Sequence, residues 1–124
     1  MASLLKYESA GTVEFLFDEK TKEFWFLEVN TRLQVEHPVT EEVTGIDLVR
    51  EQLKSANGDP LSISQDDVEI IGSSIEVRLY SEDPGNDFLP VTGKLIAFDP
   101  CEEPLVRWDV GVESGSEITP NFDP

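Results

Sequence analysis

The 124 residues include one cysteine, one histidine and nine basic residues, against twenty-six acidic ones. With Cys101 alone, no internal disulfide can close and a tetrahedral cysteine cluster is excluded. A formal charge of −17 disfavours nucleic acid as a partner, because affinity for phosphate backbones comes mainly from Lys and Arg. There is no run of about eighteen apolar residues, so no membrane-spanning helix is expected. The N-terminus lacks a basic-then-apolar signal pattern; Met1-Ala2-Ser3 reads as a plain start, and a cytoplasmic location is the default. A glycine-rich phosphate loop is missing, and Lys6, Lys20, Lys22, Lys54 and Lys94 fall in no phosphate-gripping motif. What is present is a domain-sized chain, 39% hydrophobic with two Trp and seven Phe, enough for a modest core. Most of its carboxylates read as a solvated, self-repelling surface.

The layout predicts an α+β fold. Gly11 to Phe17 and Glu23 to Val29 are rich in β-branched and aromatic residues, and the polar stretch Asp18 to Lys22 between them reads as the loop of a β-hairpin. Asn30 to Val39 has no clean period and reads as a loop. Thr40 is the expected cap of a short helix with Glu41 and Glu42 in its first turn, where the helix dipole favours them. Ile46, Val49, Leu53 and Ala56 fall on one helical face, which Asn57-Gly58-Asp59-Pro60 ends. Beyond Pro60, Val68 to Ile71, Ser74 to Tyr80, Lys94 to Phe98 and Val106 to Val112 are short alternating runs read as strands, with a boundary near Gly72 dividing the chain into 1–71 and 72–124. The ending Phe122-Asp123-Pro124 reads as though a further element should follow.

The hairpin raises a problem of charge. A loop closing between Asp18 and Phe24 places Glu14 directly across from Glu28, with Cβ atoms about 5 Å apart, and like charges in that position destabilise a sheet. The repulsion could be relieved by a shared proton or by a cation between the two. Asn30, two residues beyond Glu28 and so on its face, adds a neutral oxygen; two carboxylates and an amide make a hard-oxygen site suited to Mg²⁺ or Mn²⁺. The competing reading is a hairpin face of solvated glutamates, and a one-residue slip would separate the pair. Glu28-Val29-Asn30-Thr31-Arg32-Leu33-Gln34-Val35-Glu36-His37-Pro38 then brings an arginine fork for a small oxyanion and a carboxylate able to take a proton. In an extended segment, alternation sets Arg32, Gln34 and Glu36 on one side.

The stretch from Glu14 to Asp47, and above all Glu28 to Glu41, resembles the biotin carboxylase family of ATP-grasp enzymes. The resemblance continues through Thr44-Gly45-Ile46-Asp47-Leu48-Val49, Gly58-Asp59-Pro60-Leu61, Ile75-Glu76-Val77-Arg78, Ser81-Glu82-Asp83-Pro84 and Phe88-Leu89-Pro90. It implies the C-terminal part of an ATP-grasp domain over 1–71, followed over 72–124 by the start of the mostly β biotin carboxylase C-terminal subdomain. It also implies ligase chemistry, in which ATP, Mg²⁺ or Mn²⁺ and bicarbonate carboxylate biotin on a carrier through carboxyphosphate. Glu14 and Glu28 match residues at the ATP phosphates and, with Asn30, hold the metal. Arg32, Gln34 and the backbone of Val35 match the bicarbonate site, and Glu36 matches its general base. Arg78 matches an arginine that binds bicarbonate and stabilises the biotin enolate; Arg32, Glu36 and Arg78 are thus the implied catalytic residues.

The implied partners are the remainder of the carboxylase chain, a biotin carboxyl carrier and a carboxyltransferase, as in an acyl-CoA carboxylase α subunit or a urea carboxylase. The resemblance also allows a homodimer of the full-length enzyme. The family's lid and phosphate lysines have no counterpart here, so the chain is expected to be a fragment, inactive by itself. A non-catalytic metal- or nucleotide-binding remnant and a piece of another ATP-grasp ligase are the alternatives. Gly72-Ser73-Ser74 departs from the commoner Gly-His-Ala and leaves Arg78 in place. The residues outside this set have structural readings: His37 as a hydrogen-bonding residue, Phe24-Trp25-Phe26 as packing, Arg107 and Trp108 as strand residues. Cys101, followed by two glutamates that would raise a thiol pKa, reads as unreactive.

Overall fold

The computed structural model describes residues 2–121; Met1 and the terminal Phe122-Asp123-Pro124 lie outside that range. The chain divides into two compact units, one running to Val77 and the other starting at Arg78. The first contains a short helix α1 (Ala2–Leu5), an antiparallel hairpin of β1 (Thr12–Phe17) and β2 (Phe24–Asn30), and helices α2 (His37–Thr44) and α3 (Leu48–Ala56). The α+β class is that expected.

The hairpin closes one step tighter than the predicted loop. Phe17 pairs with Phe24, and the Asp18 backbone N–H donates to the Glu23 carbonyl at 2.9 Å. The Asp18 side chain accepts from Lys20 N at 2.7 Å, and Lys22 takes a φ of 61°. Such a register, carried unbroken, would set Glu14 against Leu27. Instead the ladder slips between Glu14 and Phe15, leaving Leu27 unpaired, and Glu14 then meets Glu28. An extra residue of this kind re-aims the side chains beyond it. Phe26 consequently pairs with Phe15, away from the face of Glu28 that simple alternation would give it. Phe15, Phe17, Phe24 and Phe26 gather on one face, with ring centroids 5.9–6.3 Å apart. Edge-on aromatic pairs add about 0.5–1.5 kcal/mol each beyond area burial, so this face sets the hairpin's register from the turn side.

The single helix expected after Thr40 is two helices. α2 starts earlier, at His37, with Pro38 in its first turn, where a missing N–H costs nothing. Thr40 therefore lies inside the helix, and its carbonyl accepts from the Thr44 hydroxyl at 2.6 Å. Gly45, at φ 70°, ends α2 with its N–H on the Glu41 carbonyl at 2.8 Å. Asp47 then caps α3, accepting from Arg50 N at 2.8 Å, and the Glu41 carboxylate accepts from Leu48 N at 2.7 Å. Two acceptors at one helix start stabilise the break that periodicity alone had read through.

The second unit is built from minimal ladders, β3 (Glu82–Asp83) with β4 (Leu89–Pro90) and β5 (Gly93–Lys94) with β6 (Glu117–Ile118). Of the strands expected here, only the start of Lys94 to Phe98 enters a ladder, at Lys94; Ser74 to Tyr80 and Val106 to Val112 make none, and in the first unit neither does Val68 to Ile71. Their alternation is real but unused, since Ile75, Val77 and Leu79 are all about four-fifths exposed or more. A strand needs a continuous row of backbone partners and a surface for its apolar face; single bonds such as Ile71 N to the Val43 carbonyl at 2.7 Å do not make a ladder, and the apolar side chains of Ser74 to Tyr80 stay exposed. Local contacts hold this unit instead. Phe98 and Trp108 meet edge-on at 6.0 Å, Ser114 Oγ bonds both backbone groups of Phe98, and Arg107 grips Asp109 through two nitrogens.

Among the described residues no hydrophobic side chain is buried; the one buried residue is Glu51, 8% exposed. The apolar content noted in the sequence is therefore largely exposed. Glu51, in α3, accepts from Ser62 N at 2.8 Å and from the Ser62 hydroxyl, with Lys54 Nζ at 3.4 Å. The two Ser62 hydrogen bonds, then Lys54, hold its pKa below the ordinary glutamate value against the opposing effect of burial. A lowered folded pKa means that this clamp contributes fully above the ordinary glutamate pKa and is lost as the pH falls through the folded value. Hydrogen-exchange protection at the Ser62 amide should accordingly fall as the pH drops below the ordinary glutamate pKa, and Glu51→Gln should flatten that dependence. The same acid profile in wild type and variant would show that the clamp is not the titrating element.

Candidate functional site

The expected opposition of Glu14 and Glu28 is observed, and neither a proton nor an ion is needed to describe how it is held. The Asn30 side-chain amide lies between them, Nδ2 donating to Glu14 Oε1 at 2.7 Å and to Glu28 Oε1 at 3.1 Å. Gln34 Nε2 adds a third bond, to Glu14 Oε1 at 2.9 Å. Each hydrogen bond to a charged group stabilises by about 1.5–3 kcal/mol net, enough to offset the repulsion of two carboxylates on a half-exposed strand face. The amide nitrogen faces the carboxylates because an oxygen there would set acceptor against acceptor.

The residue set fits a hard divalent cation: two carboxylates and an amide that would offer its oxygen once turned over, with no sulfur or imidazole beside them. Among the described residues there is no group of three or more His, Cys, Asp or Glu placed so as to hold a metal ion. The protein thus offers fewer ligands than the six a Mg²⁺ ion takes, and water or phosphate oxygens would have to complete the shell.

The loop beyond β2 does not alternate as an extended segment. It turns at Val35 and Glu36 into α2, so the expected single row of Arg32, Gln34 and Glu36 gives way to a bend. Arg32 is exposed, with Nη1 at 3.4 Å from the Leu33 carbonyl. Gln34 is half-buried, and its Oε1 is buried without a hydrogen-bond partner. Glu36 is exposed and immediately precedes the helix, its carbonyl accepting from Val39 N at 3.1 Å. His37 turns Nδ1 to the Gln34 carbonyl at 2.8 Å, the structural role expected of it.

Arg78 opens the second unit, where its Nη1 donates to the Tyr80 hydroxyl at 3.2 Å. It lies outside the assigned strands rather than in the expected one. Sequence reading had passed over Tyr80; the signal was its i+2 spacing from Arg78, which sets both on one side of an extended chain. Glu51 was missed as well, and only its meeting with Ser62 could have revealed it.

Residues 1–64 match the carbamoyl-phosphate synthase L chain ATP-binding domain profile, and residues 76–124 match the biotin carboxylase C-terminal domain profile. The chain is 52% identical over 126 residues to the human mitochondrial propionyl-CoA carboxylase alpha chain, covering 100% of itself and 17% of that protein. It is 50% identical over 123 residues to biotin carboxylase 2 of Bacillus subtilis, covering 99% of itself and 27% of that relative. Among solved structures, the biotin carboxylase domain of the Hydrogenobacter thermophilus 2-oxoglutarate carboxylase, in complex with MgADP, ADP and bicarbonate, matches with a TM-score of 0.82 and 42% identity over 98% of this chain and 27% of that one. The chain therefore spans about a quarter or less of the length of these relatives. No helix among the described residues is long and apolar enough to cross a membrane.

If the opposed carboxylates hold a cation, Glu28→Gln should weaken Mn²⁺ binding by roughly tenfold or more, read from water relaxation as Mn²⁺ is titrated. Glu19→Gln in the hairpin loop should leave the titration unchanged. Equal binding by wild type and Glu28→Gln would remove the hairpin face as a cation site.

Proposed function

This chain belongs to the biotin carboxylase family of ATP-grasp ligases, and from that premise we propose that it supplies the cation-holding hairpin and the bicarbonate loop of an ATP-dependent biotin carboxylase, which carries out the first half-reaction of a biotin-dependent carboxylase. The observation that carries the reading is the facing pair Glu14 and Glu28 with Asn30 between them, followed at once by the Arg32-to-Glu36 loop. We assign Glu14, Glu28 and Asn30 to Mg²⁺ or Mn²⁺ beside the ATP phosphates. Asn30 would engage a cation through its oxygen, which requires its amide to turn over. When bound, the cation neutralises charge on the phosphates.

The chain's own residues would then act as follows. Arg32, Gln34 and the Val35 backbone hold bicarbonate, the guanidinium fork matching its paired oxygens. Glu36, at the bend before α2, takes the bicarbonate proton, and the oxygen so freed attacks the γ-phosphorus of ATP, releasing ADP and leaving carboxyphosphate. Carboxyphosphate breaks to CO₂ and phosphate, the phosphate takes the N1 proton of biotin, and the enolate captures CO₂. Arg78 stabilises that enolate electrostatically and helps to hold bicarbonate.

We place the junction between the ATP-grasp part and the C-terminal subdomain near Gly72, which takes a φ of 76° between the two matched stretches. The partners proposed are the rest of the carboxylase, a biotin carboxyl carrier and a carboxyltransferase that chooses the acceptor, with a homodimer of the whole enzyme. The 124 residues alone are proposed to be inactive. The proposed compartment is the cytoplasm, which suits the exposed thiol of Cys101.

The test is to exchange the matching segment of Bacillus subtilis biotin carboxylase 2 for this chain and measure phosphate release and biotin carboxylation together. The exchange should retain both. Glu36→Gln should then lower both by about 10²–10⁴, whereas Arg78→Ala should damage carboxylation more than ATP cleavage. Full activity with Glu36→Gln would sink the general-base assignment, and an unchanged ratio of the two rates with Arg78→Ala would sink the enolate assignment.

A further inference from the structure

We infer that Gln34 is a positioning residue for Glu14, tying the cation-holding hairpin to the oxyanion loop through one side-chain amide. The inference rests on the proposed cation role of Glu14. It assigns Gln34 work that its proposed contact with bicarbonate does not cover.

Three contacts make Gln34 the joint between these elements. Its Nε2 donates to Glu14 Oε1 at 2.9 Å, across twenty positions of chain. Its carbonyl accepts both the backbone N–H of His37, at 3.2 Å, and His37 Nδ1, at 2.8 Å. One end of the residue is thus fixed on the first turn of α2 and the other on β1. The amide's orientation shows which bond dominates. Oε1 is buried and has no partner, an arrangement that costs free energy. Turning the amide over would put that oxygen against a carboxylate and lose a charge-assisted bond, so the Glu14 contact prevails.

The consequence falls on Glu14. Its Oε1 already accepts from Asn30 at 2.7 Å, and Gln34 is the second donor to the same atom. Once the Asn30 amide turns over to present its oxygen to a cation, the Gln34 N–H remains on Oε1, fixing the rotation of the carboxylate and leaving Oε2 to the cation. A ligand held in this way loses less conformational freedom on binding, and losing an outer partner of this kind typically weakens metal binding by about 10- to 100-fold. Asn30 is on the hairpin and moves with it; Gln34 is on the loop, so the order of the loop reaches the cation site through this bond.

An anion ligand affects binding only when the anion is present, whereas a positioning residue for Glu14 acts in its absence. The experiment is Mn²⁺ titration of the chain in bicarbonate-free buffer, for wild type, Gln34→Met, Glu14→Gln and the double variant. Gln34→Met keeps the size of the side chain and removes its donor; we expect it to weaken Mn²⁺ by about 10- to 100-fold. The double variant should bind no more weakly than Glu14→Gln, because Gln34 acts through that residue. Unchanged affinity in Gln34→Met beside a clear loss in Glu14→Gln overturns the inference, as do additive losses in the double variant. No loss in Glu14→Gln would instead overturn the cation reading beneath it. A measurement on the unsubstituted fold guards against a variant that fails to fold. With Mg²⁺ alone, the Gln34 Nε2 resonances should shift together with those of Asn30 Nδ2, and Gln34 resonances that stay still while those of Asn30 move would equally overturn the inference.

Discussion

Two carboxylates held face to face across a β-ladder are the constraint on which the first unit depends. Glu14 and Glu28 would part if their repulsion were unanswered, and the amides of Asn30 and Gln34 answer it with three hydrogen bonds. That arrangement draws the residues after β2 back onto the hairpin, because Gln34 must reach Glu14. The loop therefore bends instead of running extended, and α2 starts at His37, directly after the bend. Charge chemistry, more than apolar packing, sets the path of the chain from residue 28 to residue 44.

The same priority holds elsewhere. With no hydrophobic side chain buried among the described residues, the units are held by polar clamps: Glu51 on Ser62, Glu41 and Asp47 at the start of α3, Ser114 on Phe98. The aromatic face of the hairpin and the exposed alternation of Ile75, Val77 and Leu79 are apolar surfaces of the kind that larger domains cover. The relatives this chain matches are about four to six times its length. The polar contacts of the hairpin face form locally, while these apolar faces stay open.

The legible parts of the fold were those encoded by neighbours in the chain. The hairpin followed from two β-rich runs around a charged loop, and the end of α3 from Asn57-Gly58. The helix break at Gly45 was misread because the apolar spacing of Ile46, Val49 and Leu53 continues beyond it; the decisive signal was local capping by Asp47 and Glu41, which spacing does not register. The strands expected after Pro60 failed for the opposite reason. Their alternation is a correct statement about which side chains share a face, but a ladder also needs a partner, and partnership is not a property of a single run.

The amino-acid sequence by itself determined the α+β class, the family and the identity of the candidate site residues, since these rest on residue types at fixed spacing along one chain. Only the tertiary structure decided how those residues meet. The predicted register and the observed one agree at Glu14 and Glu28 only because a tighter turn is compensated by the unpaired Leu27. Neither deviation is visible in the spacing of the residues, as aromatic packing on the far face fixes the turn end and amide–carboxylate bonds fix the other. Likewise, nothing in the order of residues 30 to 36 said that Gln34 would turn its nitrogen to Glu14 and leave its oxygen buried. That choice is made between atoms twenty residues apart, where hydrogen-bond geometry and charge act through space and the covalent order of the chain carries no record of them.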